Sequence, residues 1–256
     1  MDAIITAGGI PQTGEYLYEE TKGGHKALLD IAGKPMIQWV LDALSEAITI
    51  EHAVIIGLPD NSGVTCPKVV AYIPNQGGML DNIKAGVKKV VELNPQAQHV
   101  LLVSSDLPGI TGKTVDWVVN TSLQTDDDVY YCVITRPVME GRYPGSNRSY
   151  THLKDMDVCG GDMNVIRTMT VTENDELWRR IIASRKSVLK QAALIGYDTL
   201  ILLLLRAIDI DGAVKRASRR LKVKGRGIVC PYAEVGMDVD KPHQLAIMRA
   251  DLSKRA

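Results

Sequence analysis

Several features that would point to particular classes of protein are missing from this 256-residue sequence. It contains no Phe, an absence for which the sequence offers no functional explanation. Its 30 Lys and Arg residues balance 30 Asp and Glu residues, so there is no overall charge to attract nucleic acid or an anionic membrane. Specific recognition must therefore come from a local site.

Cysteine is also sparse, with four residues that form no CxxC pair. Their wide spacing is unlike a zinc motif, and their number is too small for the dense disulfide framework of a small secreted domain. We therefore expect reduced, buried thiols. The four cysteines are Cys66, Cys132, Cys159 and Cys230.

No hydrophobic run in the sequence is long enough to cross a bilayer. The most apolar stretch, residues 200–205, has six residues, whereas a membrane-spanning helix needs about 20. The N-terminal sequence MDAIITAGG has an acidic second residue and glycines where a signal peptide would still be apolar, so we expect a cytoplasmic protein. Residues 194–206 fit a buried core helix, a homodimer surface or peripheral contact with a membrane, and a buried helix is the commonest of these.

Short β-rich runs alternate with helical patterns in the first half of the chain. Strands that are buried between covering helices predict an α/β fold with one doubly wound, mostly parallel, Rossmann-like sheet. The predicted strands are residues 3–7, 53–58, 69–73, 100–104 and 129–135, and the predicted helices are residues 35–47, 80–92 and 112–122.

The pattern changes after residue 135. Two Pro and two Gly residues mark residues 136–149 as a loop, and a helix-rich insertion is predicted over about residues 174–217. A last helix is predicted after Lys241-Pro242. Short strands are predicted at residues 150–153, 163–167, 227–230 and 235–239.

Two glycines, Gly8 and Gly9, follow the first predicted strand directly. Ligands of open α/β sheets bind at the carboxyl ends of the strands, and backbone N–H groups of glycine can approach a phosphate or a base edge because no Cβ intervenes. A strand followed by two glycines is also common in simple turns. Lys26 then opens the segment KALLDIAGKPMI, which supplies a cation, an apolar run, a glycine turn and a helix that begins with Pro.

The order of these features over residues 7–36 resembles the molybdenum-cofactor nucleotidyltransferase-like enzymes, which have a glycosyltransferase-A-like fold. Those enzymes open with a strand, an A-G-G loop, a basic loop and a K-x-L-L-x-x-x-G-K-P-M pattern. The resemblance implies that Ala7, Gly8 and Gly9 line an NTP. It also implies that Lys26 is catalytic and stabilises charge on the α-phosphate.

The chain departs from this family in one loop. The family has an Arg soon after A-G-G, whereas residues 10–24 contain none. This loop holds three glutamates and two tyrosines, and Lys22 is its available cation. The difference favours one alternative to catalysis, a regulatory protein that binds nucleotides without turning them over.

Asp106 follows the predicted strand at residues 100–104. An ionised carboxylate at the tip of a buried strand is costly unless it is paired or bound to a cation. Mg²⁺ is usually held by one or two carboxylates together with waters and substrate phosphates. The resemblance makes Asp106 the first metal ligand and a catalytic residue. A helix cap is the alternative role, but Asp106 lies well upstream of the predicted helix at residues 112–122.

Two further aspartates lie in the segment GMDVDKP. Alternation along a strand would put Asp238 and Asp240 on the same face. The family's late [ND]-x-[ND]-x-P element supplies the second metal ligand, which implies Asp240 with Asp238 in support and Mg²⁺, or Mn²⁺, as the cofactor. Asp240 is also placed to cap the last helix, and the two roles are compatible.

A third candidate segment, residues 75–82, precedes a predicted helix whose N-terminal N–H groups could receive anionic or base-edge acceptors. The resemblance places the base and ribose here, which makes Gly77 and Asn82 candidates for nucleotide binding. A simple helix-capping loop explains the same residues. Amide and backbone contacts suit several bases, so the sequence does not select one.

Basic, aromatic and glycine residues between positions 142 and 162 have the composition of an acceptor site. Cations can bind a phosphate while Tyr rings pack on an apolar or sugar face. Similar enzymes have a basic strand and a Gly-Gly-[ND] turn that line the acceptor, and an ordinary solvated hairpin would have a similar composition. The predicted acceptor-binding residues are Arg148, Tyr150, Lys154, Gly161 and Asp162.

Together these expectations describe one domain, residues 1–256, with a nucleotide-binding half at 1–135 and an acceptor-binding half at 136–256. The predicted activity moves an NMP group from a Mg²⁺-bound NTP to a phosphorylated small molecule and releases pyrophosphate. A nucleotide-sugar-dependent glycosyltransferase and a catalytically silent nucleotide-binding regulator are the alternatives. Nucleic acid is not an expected partner.

Overall fold

A nine-stranded sheet forms the centre of the computed structural model, which describes residues 1–173, 178–179 and 196–255. In chain order the strands are β1 (Asp2–Thr6), β2 (Asp30–Ile31), β3 (Lys34–Pro35), β4 (Ala53–Ile56), β5 (Val69–Ile73), β6 (His99–Ser104), β7 (Val129–Thr135), β8 (Thr151–His152), β9 (Asp157–Gly160), β10 (Met163–Arg167) and β11 (Gly225–Val229). The helices are α1 (Tyr18–Thr21), α2 (Met36–Glu46), α3 (Met79–Leu93), α4 (Gly112–Ser122), α5 (Arg136–Arg142), α6 (Thr168–Glu173), α7 (Tyr197–Leu204), α8 (Ile210–Leu221) and α9 (Pro242–Leu252).

The strand order across the sheet is β5-β4-β1-β6-β10-β7-β9-β8, and β11 pairs with β7. β5, β4, β1 and β6 are parallel neighbours, and β7 is parallel to β11. Within the described sheet, β9 and β10 run opposite to the other strands. β2 and β3 form a separate hairpin. The predicted doubly wound, mostly parallel α/β sheet is therefore confirmed.

Helices cover both faces of the sheet because alternate residues of each central strand point into opposite layers. Ile5 belongs to the larger apolar cluster, which includes Val40 of α2, whereas Ile4 packs in the second cluster with Val87 of α3. Buried apolar runs of this kind are typical of parallel strands covered on both sides. Because β1 is a parallel neighbour of both β4 and β6, the carboxyl ends of these three strands meet at one edge of the sheet.

The structure corrects the expected loop at residues 136–149, because its first part is helix α5 (Arg136–Arg142). Pro137 lies in the first turn of this helix, where its missing N–H group costs no hydrogen bond. The later part of this segment does contain a turn, as predicted, since Gly145 has a positive φ of 76°. Proline was therefore a helix start here rather than a loop marker.

The expected strand at residues 235–239 is also wrong. A short 3-10 helix covers Ala233–Gly236, and the residues after it form no strand. Their backbone groups bond to loops instead: Asp162 N donates to Val235 O at 3.0 Å, and Val239 N donates to Asp106 O at 3.0 Å. Strand β9 was not predicted from the sequence.

The expected helix-rich insertion at residues 174–217 lies partly outside the described residues, which omit 174–177 and 180–195. Its later part contains α7 and most of α8. No helix among the described residues is both long and apolar enough to cross a membrane.

Candidate active site

The glycine loop after β1 is held very close to the neighbouring strand β4. Ala7 is buried, and its N–H donates to Ile56 O at 2.8 Å. The next residue after β4, Gly57, has a φ of 90°, and a Cβ at this position would lie 2.3 Å from the Cα of Gly8. Two glycine backbones therefore pack directly on each other, which fixes the path of the loop at the carboxyl edge of the sheet.

Lys26 is anchored to this loop through its backbone and reaches two carboxylates through its side chain. Its N–H donates to Gly9 O at 2.9 Å. Its Nζ donates to Asp106 Oδ2 at 2.6 Å and also to Asp240 Oδ1. Burial alone would lower the pKa of Lys26, but the two carboxylates outweigh burial and raise that pKa above its ordinary value. Lys26 is therefore a fixed positive charge.

Asp106 lies just beyond the end of β6. Its Oδ1 is buried and has no hydrogen-bond partner within the described chain, although Oδ2 contacts Lys26. The capping alternative does not apply to Asp106, because Thr111 is the N-cap of α4 and accepts from Thr114 N at 3.3 Å. An unpaired buried carboxylate oxygen at this edge is a suitable ligand for a hard cation.

Asp240 does not cap α9 with its side chain. The side chain of Gln244 caps this end instead, with Oε1 accepting from Asp240 N at 3.0 Å and from Lys241 N at 2.9 Å. The Asp240 side chain is 58% exposed and contacts Lys26. Burial would raise the pKa of Asp240, but the charge and hydrogen bond of Lys26 lower it, so this carboxylate is ionised.

Asp238 is paired with a different cation, the guanidinium of Arg148. Arg148 Nη1 donates to Asp238 Oδ1, and the two side chains are 16% and 9% exposed. Burial raises the pKa of Asp238 to about 8, and the negative charges of Asp162, Asp106 and Asp240 add to this effect while Arg148 opposes it. Asp238 and Asp240 were predicted to share one face of a strand. No strand forms there, although the two carboxylates lie close enough to influence each other.

Six charged side chains lie at this site, and they comprise two cations and four carboxylates. This crowding of carboxylates, which also raises the pKa of Asp238, is what a divalent cation would relieve. The groups are Lys26, Arg148, Asp106, Asp162, Asp238 and Asp240.

The carboxylates do not form a ready-made cage of three ligands. Among the described residues, the cluster with three ligand atoms within 4.8 Å of one another consists of Asp2, Glu51 and His52. Asp2 begins β1 and so lies at the other end of that strand from Gly8. Mg²⁺ does not require such a cage, because one or two carboxylates and the phosphates of its substrate commonly hold it.

The loop before α3 is tied to the glycine loop through asparagine side chains. Asn75 Nδ2 donates to Gly8 O at 3.3 Å, and Asn75 Oδ1 accepts from Gly77 N at 2.9 Å and from Asn82 Nδ2 at 3.1 Å. Asn82 Oδ1 accepts from Gln76 N at 2.7 Å. Asn82 is buried and organises this loop, while Gly77 is exposed with a φ of 87°.

The predicted acceptor residues fall into different environments. Tyr150 donates through its hydroxyl to Glu140 Oε1 at 2.7 Å, and Arg136 lies over its ring. Lys154 has an exposed side chain. Gly161 is a packing position, because a Cβ there would lie 2.9 Å from Val235 Cγ1.

A cleft of about 680 Å³ opens next to Tyr150, beyond the end of β7. Glu140, which holds the Tyr150 hydroxyl, lies on its wall. The cleft is lined by Thr135, Arg136, Pro137, Glu140, Asp155, Met156 and Asp157.

Two residues that shape the site were not identified from the sequence. Gly57 follows a buried strand directly, and this position is a signal that could have been used. Asn75 was seen only as part of a polar loop. Its contact with Gly8 joins residues that are 67 positions apart, so no local pattern reveals it.

Comparison with known proteins places the chain in a family. The sequence matches the MobA-like NTP transferase domain over residues 3–142. A hypothetical transferase from Thermus thermophilus is 31% identical, with a TM-score of 0.83 over 95% of this chain and 98% of that chain. Among curated proteins no match is found.

More distant solved structures share the fold. CMP:2-keto-3-deoxy-manno-octonic acid synthetase complexed with CTP is 15% identical, with a TM-score of 0.62 over 100% of this chain and 99% of that chain. A 4-diphosphocytidyl-2C-methyl-D-erythritol synthase from Anaerococcus prevotii is 12% identical, with a TM-score of 0.55 over 98% and 95% of the two chains. The family match covers more than half of the sequence, and the chain therefore belongs to the MobA-like NTP transferase domain family and is a nucleotidyltransferase.

Proposed function

We propose that the protein transfers an NMP group from an NTP to a phosphorylated small molecule and releases pyrophosphate. The observation that carries this proposal is the meeting of Lys26 with Asp106 and Asp240 beside the glycine loop. Nucleotidyl transfer depends on positioning and on cations at the phosphate oxygens more than on covalent help from the protein. This edge of the sheet supplies a fixed cation and two carboxylates beside the glycine loop.

We propose Mg²⁺, or Mn²⁺, as the cofactor, with Asp106 and Asp240 as its protein ligands and Asp238 next to them. The buried, unpaired Oδ1 of Asp106 and the exposed carboxylate of Asp240 are hard oxygen donors of the kind this cation takes. When bound, the cation would neutralise charge on the triphosphate and on the pyrophosphate leaving group.

The protein's own groups would act on the nucleotide as follows. Ala7, Gly8 and Gly9 would line the nucleotide, and the loop at Gly77 together with Asn82 in the first turn of α3 would receive the base and ribose. An oxygen of the acceptor phosphate forms the new bond to the α-phosphorus, and the bond from that phosphorus to the oxygen shared with the β-phosphate breaks. Lys26 would offset the negative charge that develops on the α-phosphate.

The acceptor would bind on the side of the sheet that carries Arg148 and Tyr150. An acceptor that is already an anionic phosphate needs no general base, which agrees with a site built from cations and carboxylates. Lys154 and Asp162 would contact the rest of the acceptor, and Gly161 would keep the turn before Asp162 close to β7. The cleft beside Tyr150 offers room for that part of the molecule.

Pyrophosphate release tests this function. The protein would be incubated with Mg²⁺, each NTP and a panel of sugar phosphates, alcohol phosphates and pterins, beginning with CTP because one structural neighbour was solved with it. Asp106→Asn should lower the rate on the order of a thousandfold, since it removes a charge from the metal site. Asp42→Asn is the matched control, because Asp42 pairs with Lys34 in a separate ion pair.

The two alternatives predict different products. Release of a nucleoside diphosphate from a nucleotide-sugar would identify glycosyl transfer. Nucleotide binding without any product across the panel would favour a regulatory protein. Full activity of a folded Asp106→Asn variant would reject the metal assignment.

A further inference from the structure

Arg148 and Asp238 form an ion pair that is separate from the contacts of Lys26. Arg148 lies in the loop between α5 and β8, and Asp238 lies in the irregular segment before α9. Both side chains are largely buried. Asp106 and Asp240 share one cation, Lys26, whereas Asp238 directs its Oδ1 to Arg148.

Exposure separates the two aspartates of this segment. The side chain of Asp240 is 58% exposed, whereas that of Asp238 is 9% exposed. A metal ligand in this family of reactions must be reached by the cation together with its waters and the triphosphate. Asp240 meets that requirement, while Asp238 is buried next to it with one oxygen already bound to a guanidinium.

The guanidinium of Arg148 has N–H donors that Asp238 does not use. It carries five N–H donors in a planar fork, and Nη1 is used by Asp238. Its Nε is buried and has no hydrogen-bond partner within the described chain. Cys159 is a further neighbour of this side chain. A guanidinium whose Nη1 is held by a carboxylate presents its remaining N–H groups in a fixed orientation, which is suited to bind a phosphate through two parallel hydrogen bonds.

We infer that Asp238 is a positioning residue that fixes Arg148 for binding the acceptor phosphate, while Asp106 and Asp240 hold the divalent cation without it. Without Asp238, Arg148 would keep a charge in a largely buried place without the carboxylate that holds its Nη1, and Asp162 would be left as a nearby negative charge. This inference rests on the proposed function for the presence of an acceptor phosphate, but it concerns two ligands that can be measured separately.

Two binding measurements on the full chain test the inference. Mn²⁺ alone, followed by electron paramagnetic resonance, reports on the metal site. Inorganic phosphate alone, followed by calorimetry without metal, reports on Arg148. The variants are Asp238→Asn, Asp240→Asn and Arg148→Lys, and Asp251→Asn is the matched control because Asp251 pairs with Arg142 at 2.7 Å.

Asp238→Asn should weaken phosphate binding about tenfold and leave Mn²⁺ binding within about twofold of the wild type. Arg148→Lys should weaken phosphate by a similar factor, because a lysine has no planar fork. The double variant with Asp238→Asn and Arg148→Lys should bind phosphate only slightly more weakly than Arg148→Lys alone, since both changes act through one guanidinium. Asp240→Asn should weaken Mn²⁺ binding and leave phosphate binding nearly unchanged. Asp251→Asn should change neither affinity.

A loss of Mn²⁺ affinity in Asp238→Asn that equals the loss in Asp240→Asn would overturn the inference, and so would unchanged phosphate affinity in a folded Asp238→Asn protein. If Asp238→Asn does not fold, Asp238→Glu keeps the charge but moves the carboxylate, and it should give the same pattern. Failure of the proposed metal site has a different signature, because Mn²⁺ would then bind equally well to the wild type and to Asp240→Asn.

Discussion

Lys26 joins parts of the sequence that are far from each other. Its two partners, Asp106 and Asp240, lie 80 and 214 positions further along the chain. The ammonium group lies between two carboxylates that would otherwise repel each other. A divalent cation that binds the same carboxylates must therefore compete with Lys26, unless an NTP offers the ammonium a phosphate instead.

Replacement of this lysine should affect metal binding and catalysis in opposite directions. Lys26→Met should bind Mn²⁺ about tenfold more tightly than the wild type without nucleotide, because a competing positive charge is gone. It should lower the single-turnover rate about a hundredfold or more while weakening NTP binding much less. Electron paramagnetic resonance and quenched-flow measurements would check the two effects.

Lys34→Met serves as the control, since Lys34 pairs with a different aspartate, Asp42, at 2.8 Å. An unchanged Mn²⁺ affinity in Lys26→Met would show that the ammonium does not compete with the metal. An unchanged single-turnover rate would contradict its role at the α-phosphate.

Local sequence motifs identified some residues of the site, but they did not identify the residues with which these pair. Lys26, Asp106 and Asp240 stand in recognisable sequence contexts, and the structure brings them together. The pairing of Arg148 with Asp238 joins positions 90 residues apart, and no short pattern encodes it. The predicted place of Gly161 at the acceptor stays a prediction, and the structure adds that a Cβ at this position would crowd Val235.

Between elements, the loops after β1 and β4 approach each other closely at Gly57 and Gly8. Gly57→Ala should destabilise the protein by about 2 kcal/mol or more, because the new Cβ would lie 2.3 Å from Gly8 Cα in a backbone with a φ of 90°. The glycine loop would have to move, so NTP binding should weaken as well. Urea unfolding and nucleotide titration would measure the two losses.

Gly63→Ala provides a matched control for this change. Gly63 has a φ of 78°, but a Cβ there would meet no atom within 4 Å. This variant should lose only about 1 kcal/mol from backbone strain and keep its nucleotide affinity. Equal effects of the two substitutions would mean that the contact between Gly57 and Gly8 does not matter.

The elements that could be predicted from the sequence are those with strong periodicity. β5 and α4 have the predicted bounds, because β5 is an apolar run and α4 buries apolar residues at helical spacing. The segment at residues 235–239 has the composition of a strand, but Val239 N donates to Asp106 O and Val235 O accepts from Asp162 N. These bonds depend on tertiary contacts, which the local sequence does not show. α5 was missed because Pro137 can either begin or end a helix.

Across the whole molecule, the site is assembled from both ends of the chain. β1 supplies the glycine loop, β6 leads to Asp106, and the segment before α9 supplies Asp240. Val239 N donates to Asp106 O at 3.0 Å, so the C-terminal segment is bonded to the loop after β6. A ligand that binds at this junction should therefore link the loop after β6 to the segment before α9, which separate when the protein unfolds.

Ligand binding should consequently stabilise the entire fold. An NTP with Mg²⁺ at a hundred times its Kd should add about 2.7 kcal/mol to the free energy of unfolding, because it binds only the folded state. Thermal shift assays with each NTP would identify the base from the largest increase in Tm. Hydrogen exchange should slow together at residues 104–106 and 238–240, since one ligand closes both segments. Asp240→Asn should lose most of the shift, whereas protection confined to one of the two segments would argue against a shared cation.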